Sequence, residues 1–227
     1  MAIARTPEQE QIVKDNLTAI CAEVFFRDGY SKVTMKSLAD EAGCTTGKFY
    51  SNFSGKPEIL NIVIEKLVRS NYLAVDKMLK KGDTATIKIM LLFVLQYEIC
   101  RVNEKIGELF YYGYEDTEAV LSVAGWLKEE LAAALTADYG RKEADNDLLF
   151  RSMMCLKNFH AIIIRERKGF GYDEDRQLKD MMNMLLDACG IAGKDADAIR
   201  TRVEKERETL RDTTYNVIIN ILQTRLI

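Results

Sequence analysis

The 227 residues are 48% apolar with a formal net charge of −3, enough for a sizeable core and too acidic for a strongly basic nucleic-acid coat, though a local basic site is allowed. Pro7 and Pro57 are the only prolines, so the chain beyond them can form long uninterrupted helices, and the short-strand, turn-rich pattern of a β-sandwich is absent. Five scattered cysteines (Cys21, Cys44, Cys100, Cys155 and Cys189), none in C-x-x-C spacing, argue against a disulfide framework or zinc ribbon and for reduced thiols in a cytoplasm.

In chain order, Val13, Leu17, Ile20, Val24 and Phe25 recur at helical spacing and predict a first helix from Glu8 to Arg27, stopped by a left-handed Gly29. Thr34 can cap a second, short helix carrying Met35, Leu38, Ala39 and Ala42. Gly43 interrupts, and Thr45 can cap a third helix carrying Phe49, Tyr50 and Phe53. Gly55 can start a fourth, with Pro57 in its first turn and a stripe of Ile59, Leu60, Val63 and Leu67. Beyond Gly82 the pattern predicts helices over 84–100, 103–114, 117–139, 145–167, 173–188 and 195–225, with Asp145, Asp173 and Asp195 as caps. The longest apolar run, Ile89 to Leu95, is too short to span a bilayer, and no signal-peptide pattern opens the chain, so no membrane role is expected.

The two short helices, 34–42 and 45–52, joined by a glycine-containing turn, form a helix-turn-helix pattern. A helix that enters the major groove needs short or flexible polar groups outward, and Thr45, Thr46 and Lys48 supply them. No acidic residue occurs from Gly43 to Lys56, as a phosphate-facing surface requires. Phe49 and Phe53 are expected in the core. Residues 1–82 hold 12 basic and 10 acidic side chains and the remainder 20 and 25, a mild bias of positive charge toward the same end.

The run from Gly29 through Thr34, Leu38-Ala39-Asp40-Glu41-Ala42-Gly43 and Thr45-Thr46-Gly47-Lys48-Phe49-Tyr50 to Gly55-Lys56-Pro57 closely resembles the TetR/AcrR family signature, over roughly residues 8–68. The resemblance implies an all-α protein: an N-terminal three-helix helix-turn-helix DNA-binding domain (residues 1–56), then a larger helical effector-binding and dimerisation domain (57–227) with an extra C-terminal helix at 195–225. It further implies that Thr34 and Tyr50 contact phosphates, that Thr46 and Lys48 face base edges, and that Lys56 contacts the backbone. Asn52 stands where the family often has histidine and can still bond a phosphate; Cys44, Phe49 and Pro57 also depart from the common pattern and are expected to adjust packing.

In the larger domain the segment 148–164 is apolar on nearly every side and must be covered on two faces, one of them by a second subunit of a homodimer. Leu178, Met181, Met182, Leu185 and Leu186 mark the companion helix. The final helix carries a stripe of Ile199, Val203, Leu210, Val217, Ile221 and Arg225 with an exposed charged face over 200–211, packing on the body or enlarging the dimer interface. Candidate lining groups for a small-molecule effector are Phe93, Tyr97, Tyr111, Tyr112, Trp126, Met153, Met154, Phe159 and His160. An enzyme is the rival reading. With one histidine and no nucleophile elbow, metal-ligand pair or phosphate loop, the sequence points to no catalytic residues, metal or cofactor. The expected function is a repressor of a double-stranded palindromic operator, released by the effector.

Overall fold

The computed structural model describes residues 6–170, 173–210 and 212–214, and among them there is no strand. The head comprises α1 (Pro7–Asp28), a 3₁₀ turn (Tyr30–Lys32), α2 (Met35–Glu41) and α3 (Thr46–Tyr50). The body comprises α4 (Lys56–Asp76), α5 (Ala85–Val102), α6 (Glu104–Glu115), α7 (Thr117–Tyr139), α8 (Asp145–Lys168), α9 (Glu174–Cys189) and α10 (Gly193–Lys205).

Local chemistry sets most of these boundaries. Thr6 opens α1 in a capping box with Gln9, one residue before the expected start, and Pro7 takes the first helical position, where its missing donor is harmless. Gly29 ends α1 with φ 91° and ψ 142°: φ is positive, as expected of a glycine stop, while ψ departs from the left-handed helical value and leads the chain into the 3₁₀ turn. Of the three aspartates expected to cap, Asp173 does so. Asp145 and Asp195 lie inside the first turns of α8 and α10. The Asp145 carboxylate instead accepts from Lys128 of α7 at 2.7 Å, leaving Ala144 at the cap position.

Helix α5 is the axis of the body. Ile89 to Leu95 are all buried, because α4, α6, α7, α8, α9 and α10 pack around them; a helix apolar on every side can exist in water only when so surrounded. Helix α8 buries Leu148, Cys155, Leu156, Phe159, Ile162 and Ile163 against the core. The expected companions Leu178, Met181, Met182, Leu185 and Leu186 of α9 are buried within this chain.

The C-terminal region differs from the single long helix expected. Helix α10 ends at Lys205, Glu206 makes a turn, and helix resumes over 207–210. The turn lets the Glu206 carboxylate reach Arg202 at 3.0 Å and also Lys80, while Leu210 re-enters the core. The charged stretch is therefore not wholly exposed: Glu206 is 2% exposed, and Arg202 grips Asp83 through two hydrogen bonds of 2.7 and 2.6 Å. These contacts fasten α10 to the loop before α5, so the described part of the added helix packs on the body. Val217, Ile221 and Arg225 lie outside the described residues.

Two outcomes follow from the packing. A Cβ on Gly113 of α6 would lie 2.5 Å from Ile64 Cγ1 of α4, both buried, so Gly113→Ala should lower stability by about 1–3 kcal/mol in urea denaturation. Burial, with Lys157 nearby, lowers the His160 pKa below the usual histidine value. As pH falls, the unfolded chain takes up this proton first; the stability is complete above the unfolded pKa of about 6.5 and is lost as pH drops through the lower folded value. Urea midpoints measured from pH 7 to 5 should fall more steeply for the native protein than for His160→Gln.

Candidate nucleic-acid interface

The Thr34 hydroxyl accepts the Ser37 N–H at 3.1 Å, and Ser37 Oγ accepts the Thr34 N–H at 3.0 Å, so α2 begins in a reciprocal cap built with serine where glutamate is usual. At its other end the Gly43 N–H bonds Asp40 O and the Cys44 N–H bonds Ala39 O, a paired closure that needs the left-handed φ of 62° at Gly43. The chain thereby reverses within two residues, and the Thr45 hydroxyl caps α3 on the Lys48 N–H at 3.3 Å. Phe49 and Phe53, 0% and 1% exposed with ring centroids 5.3 Å apart, pin the inner side of α3 into the head.

With that side fixed, Thr45, Thr46 and Lys48 are exposed, and Tyr50 is 51% exposed. Thr34, Lys32 and Lys36 are exposed as well. Two carboxylates at the ends of α1 and α2 are partly neutralised: Arg27 bonds Asp28 and Glu41 at 2.9 Å each, and these contacts lower the pKa of both acids. The result is a polar surface of threonines, lysines and a phenol, with no acid from Gly43 to Lys56.

Two expected contact residues are already engaged. Asn52 is half-buried, and its amide donates to Lys48 O at 2.8 Å, closing the end of α3. Lys56 turns inward, donating to Tyr30 O at 3.0 Å and Val33 O at 2.9 Å with its ammonium 4.1 Å above the Tyr30 ring. Burial lowers its pKa, with Glu108 opposing, and of its three N–H donors one is left for a phosphate. Lys56 thus clamps the turn ahead of α2. No local signal marks this role, because its partners lie 23 and 26 residues away.

Helix α6 touches the head and the body together. Lys105 donates to Arg27 O, and the Tyr112 ring stands 5.2 Å from that of Tyr30. The same helix borders a cavity of about 280 Å³ between α5, α6 and α8. Tyr97, Cys100, Gly107 and Ile163 form its inner wall, and Arg101, Glu104, Glu166 and Arg167 its rim. Of the nine side chains expected as effector contacts, Tyr97 lines this cavity. Tyr111 lies behind it under the Arg167 guanidinium, 5.4 Å from its ring. Phe93 packs on Phe159 in the core, Trp126 stands against Tyr72, Met153 is half-buried, and His160 meets Tyr111 edge to face. The charged rim was missed in the sequence because its members come from three helices separated by some sixty residues.

Residues 19–63 match the model for bacterial regulatory proteins of the tetR family, a span that contains α2, α3 and the clamp. Among solved structures, RolR in complex with resorcinol has a similar fold, with a TM-score of 0.62 and 16% identity over 88% of this chain and 97% of that one. The N-terminal domain is thus similar to that of the tetR family of bacterial regulatory proteins, and the fold of the chain to that of RolR.

Proposed function

We propose that this DNA-binding regulator works as a homodimeric repressor that leaves a palindromic operator when a small molecule occupies its body. The observation that carries the DNA-reading part is the exposed, acid-free outer face of α3, held rigid from behind by Phe49 and Phe53. In this reading Thr46 and Lys48 meet base edges, Thr34, Thr45 and Tyr50 meet phosphates, and Asn52 and the third Lys56 N–H add backbone contacts at the edge. The head of residues 1–56 reads, and the body of 57–227 senses and dimerises.

The dimer half of the proposal draws on α8. Phe150 is 63% exposed and Met154 37%, one helical turn apart, an apolar strip left open while Leu148, Cys155, Leu156, Phe159, Ile162 and Ile163 are buried. Pairing two such strips would place two α3 helices for successive major grooves. Release follows if the effector favours an arrangement of α6 that spaces the heads differently. Helix α6, which holds Arg27 and Tyr30 on one side and borders the cavity on the other, is the element that can carry that shift. RolR, whose fold is similar, has been solved with a small aromatic ligand, in keeping with a ligand-responsive body.

Fluorescence-anisotropy titration with the operator tests the reading. Lys48→Ala should weaken binding by about 1–3 kcal/mol and relax base preference. Three exposed lysines per head, Lys32, Lys36 and Lys48, make about six per dimer and a log–log salt slope of roughly −5, steepening toward about −7 if Lys56 joins them. No change for Lys48→Ala combined with Tyr50→Phe would remove the assigned site. Phe150→Asp should give a monomer by analytical ultracentrifugation and abolish operator binding at matched concentration; a native protein that sediments as a monomer would exclude the dimer.

A further inference from the structure

We propose that Cys155 and Cys189 form an oxidation site for a small hydroperoxide, which converts the two thiols into a disulfide tying α8 to the end of α9.

The register of the two helices brings the pair together. Asn158 of α8 donates to Met184 O at 3.3 Å, Arg165 meets Asp180 at 3.7 Å, and Gln177 donates to Glu166 at 3.0 Å. Helices α8 and α9 therefore run antiparallel, and Cys155 falls opposite Cys189. Both are free thiols, 1% and 0% exposed, with their sulfurs 3.8 Å apart. A disulfide needs the sulfurs at about 2.05 Å, a gap closed by turning the two side chains and a small approach of the helices.

The two thiols differ in role. Cys155 gives its S–H to Cys189 Sγ: that bond first, and burial second, hold the Cys155 pKa well above the usual thiol value, with Arg151 opposing. The negative charge that one sulfur must carry to attack belongs on Cys189, where the Cys155 S–H meets it. Cations stand at the same end of α9: Arg141 donates to Cys189 O at 3.2 Å, and Arg151 to Ala188 O at 2.9 Å. Access comes from the helix end. Cys189 is the last residue of α9, and the turn after it, Gly190 to Gly193, is exposed apart from Ile191 and holds glycines at φ 65° and 62°. A helix end opens at far lower cost than the whole fold, and hydrogen peroxide is little larger than water.

The chemistry balances within the pair. The Cys189 thiolate attacks one peroxide oxygen, the O–O bond breaks, and the departing oxygen leaves as water with the proton that Cys189 gave up. The Cys155 sulfur then attacks the sulfenic acid on Cys189; the S–O bond breaks, and a second water carries off the Cys155 proton. Two electrons pass from the sulfurs to the peroxide, and a thiol reductant reverses the bond. Cys155 adjoins Met154, which with Phe150 forms the strip assigned to the dimer, so the new bond bears on that interface.

Mass spectrometry of the reduced, folded full chain after hydrogen peroxide at neutral pH tests the site. The product should weigh two hydrogens less, lose two of its five free thiols, and yield one peptide pair joined through Cys155 and Cys189. Dithiothreitol should restore all five. Cys155→Ser should leave a sulfenic acid on Cys189 that dimedone captures, at least about tenfold faster than it labels Cys21, whose burial raises its pKa to about 12. Cys189→Ser should leave Cys155 unlabelled. The proposal is overturned if the folded chain keeps its thiols, if the disulfide joins another pair, if it forms only in urea that unfolds the chain, or if natively folded Cys189→Ser directs the label to Cys155. None of these measurements uses DNA, so this conclusion and the reading of an operator can fail separately.

Discussion

A helix of five residues has no stability of its own, since it closes too few hydrogen bonds to offset the cost of nucleation. Helix α3 persists because Phe49 and Phe53 bury one side of it and because Thr45 and the Gly43 turn fix where it begins. The same anchoring decides what the solvent side presents. With the two rings inward, Thr46, Lys48 and Tyr50 have no choice but to face out. The remainder of the head serves that placement. Arg27 ties α1 to the end of α2 through Glu41, Lys56 holds the turn ahead of α2, and Lys14 to Glu58 and Lys66 to Asp15 bind α1 along α4.

Much of this architecture could be read from the chain alone, for identifiable reasons. Helix starts at Thr34, Thr45 and Thr84 are local events in which one side chain acts on the next turn. The burial of Phe49 and Phe53 and the central position of Ile89 to Leu95 follow from periodicity and run length. Interactions across long stretches of chain were not legible. Nothing near Lys56 tells that its ammonium closes on Tyr30 and Val33, and nothing near Asp145 tells that Lys128 claims its carboxylate. Periodicity marks Phe93 and Trp126 as inward-facing but cannot say whether the inside is packed or hollow; Phe93 turned out to be packing. The turn at Glu206 was invisible for a related reason, because Lys80, Arg202 and Leu210 create it together.

The body draws its order from a different kind of contact. Around the apolar axis of α5 lie charged clasps at the helix ends. Arg202 bridges to Asp83, and Arg141 and Arg151 share Glu143 while donating to the last carbonyls of α9. Arginines at the end of α9 also meet the negative pole of the helix, where a cation is favoured. Each clasp joins segments that the apolar core alone leaves free to slide, and so fixes the register of helices whose side chains are otherwise similar in size and shape.

The sharing of α4 between the two halves bears on modularity. Its N-terminal turns carry Lys56 and Glu58 for the head, and its later turns carry Tyr72, which donates to Glu130 and meets Trp126 of α7 edge to face. Tyr30 of the head, in turn, rests on Tyr112 of α6. There is consequently no clean seam at which evolution, or an engineer building a chimaera, could exchange one reading head for another. A graft cut between residues 56 and 57 would set Lys14, Lys66 and Tyr30 against foreign neighbours. A transplant that keeps its geometry has to bring α4 and the facing surface of α6 along with it.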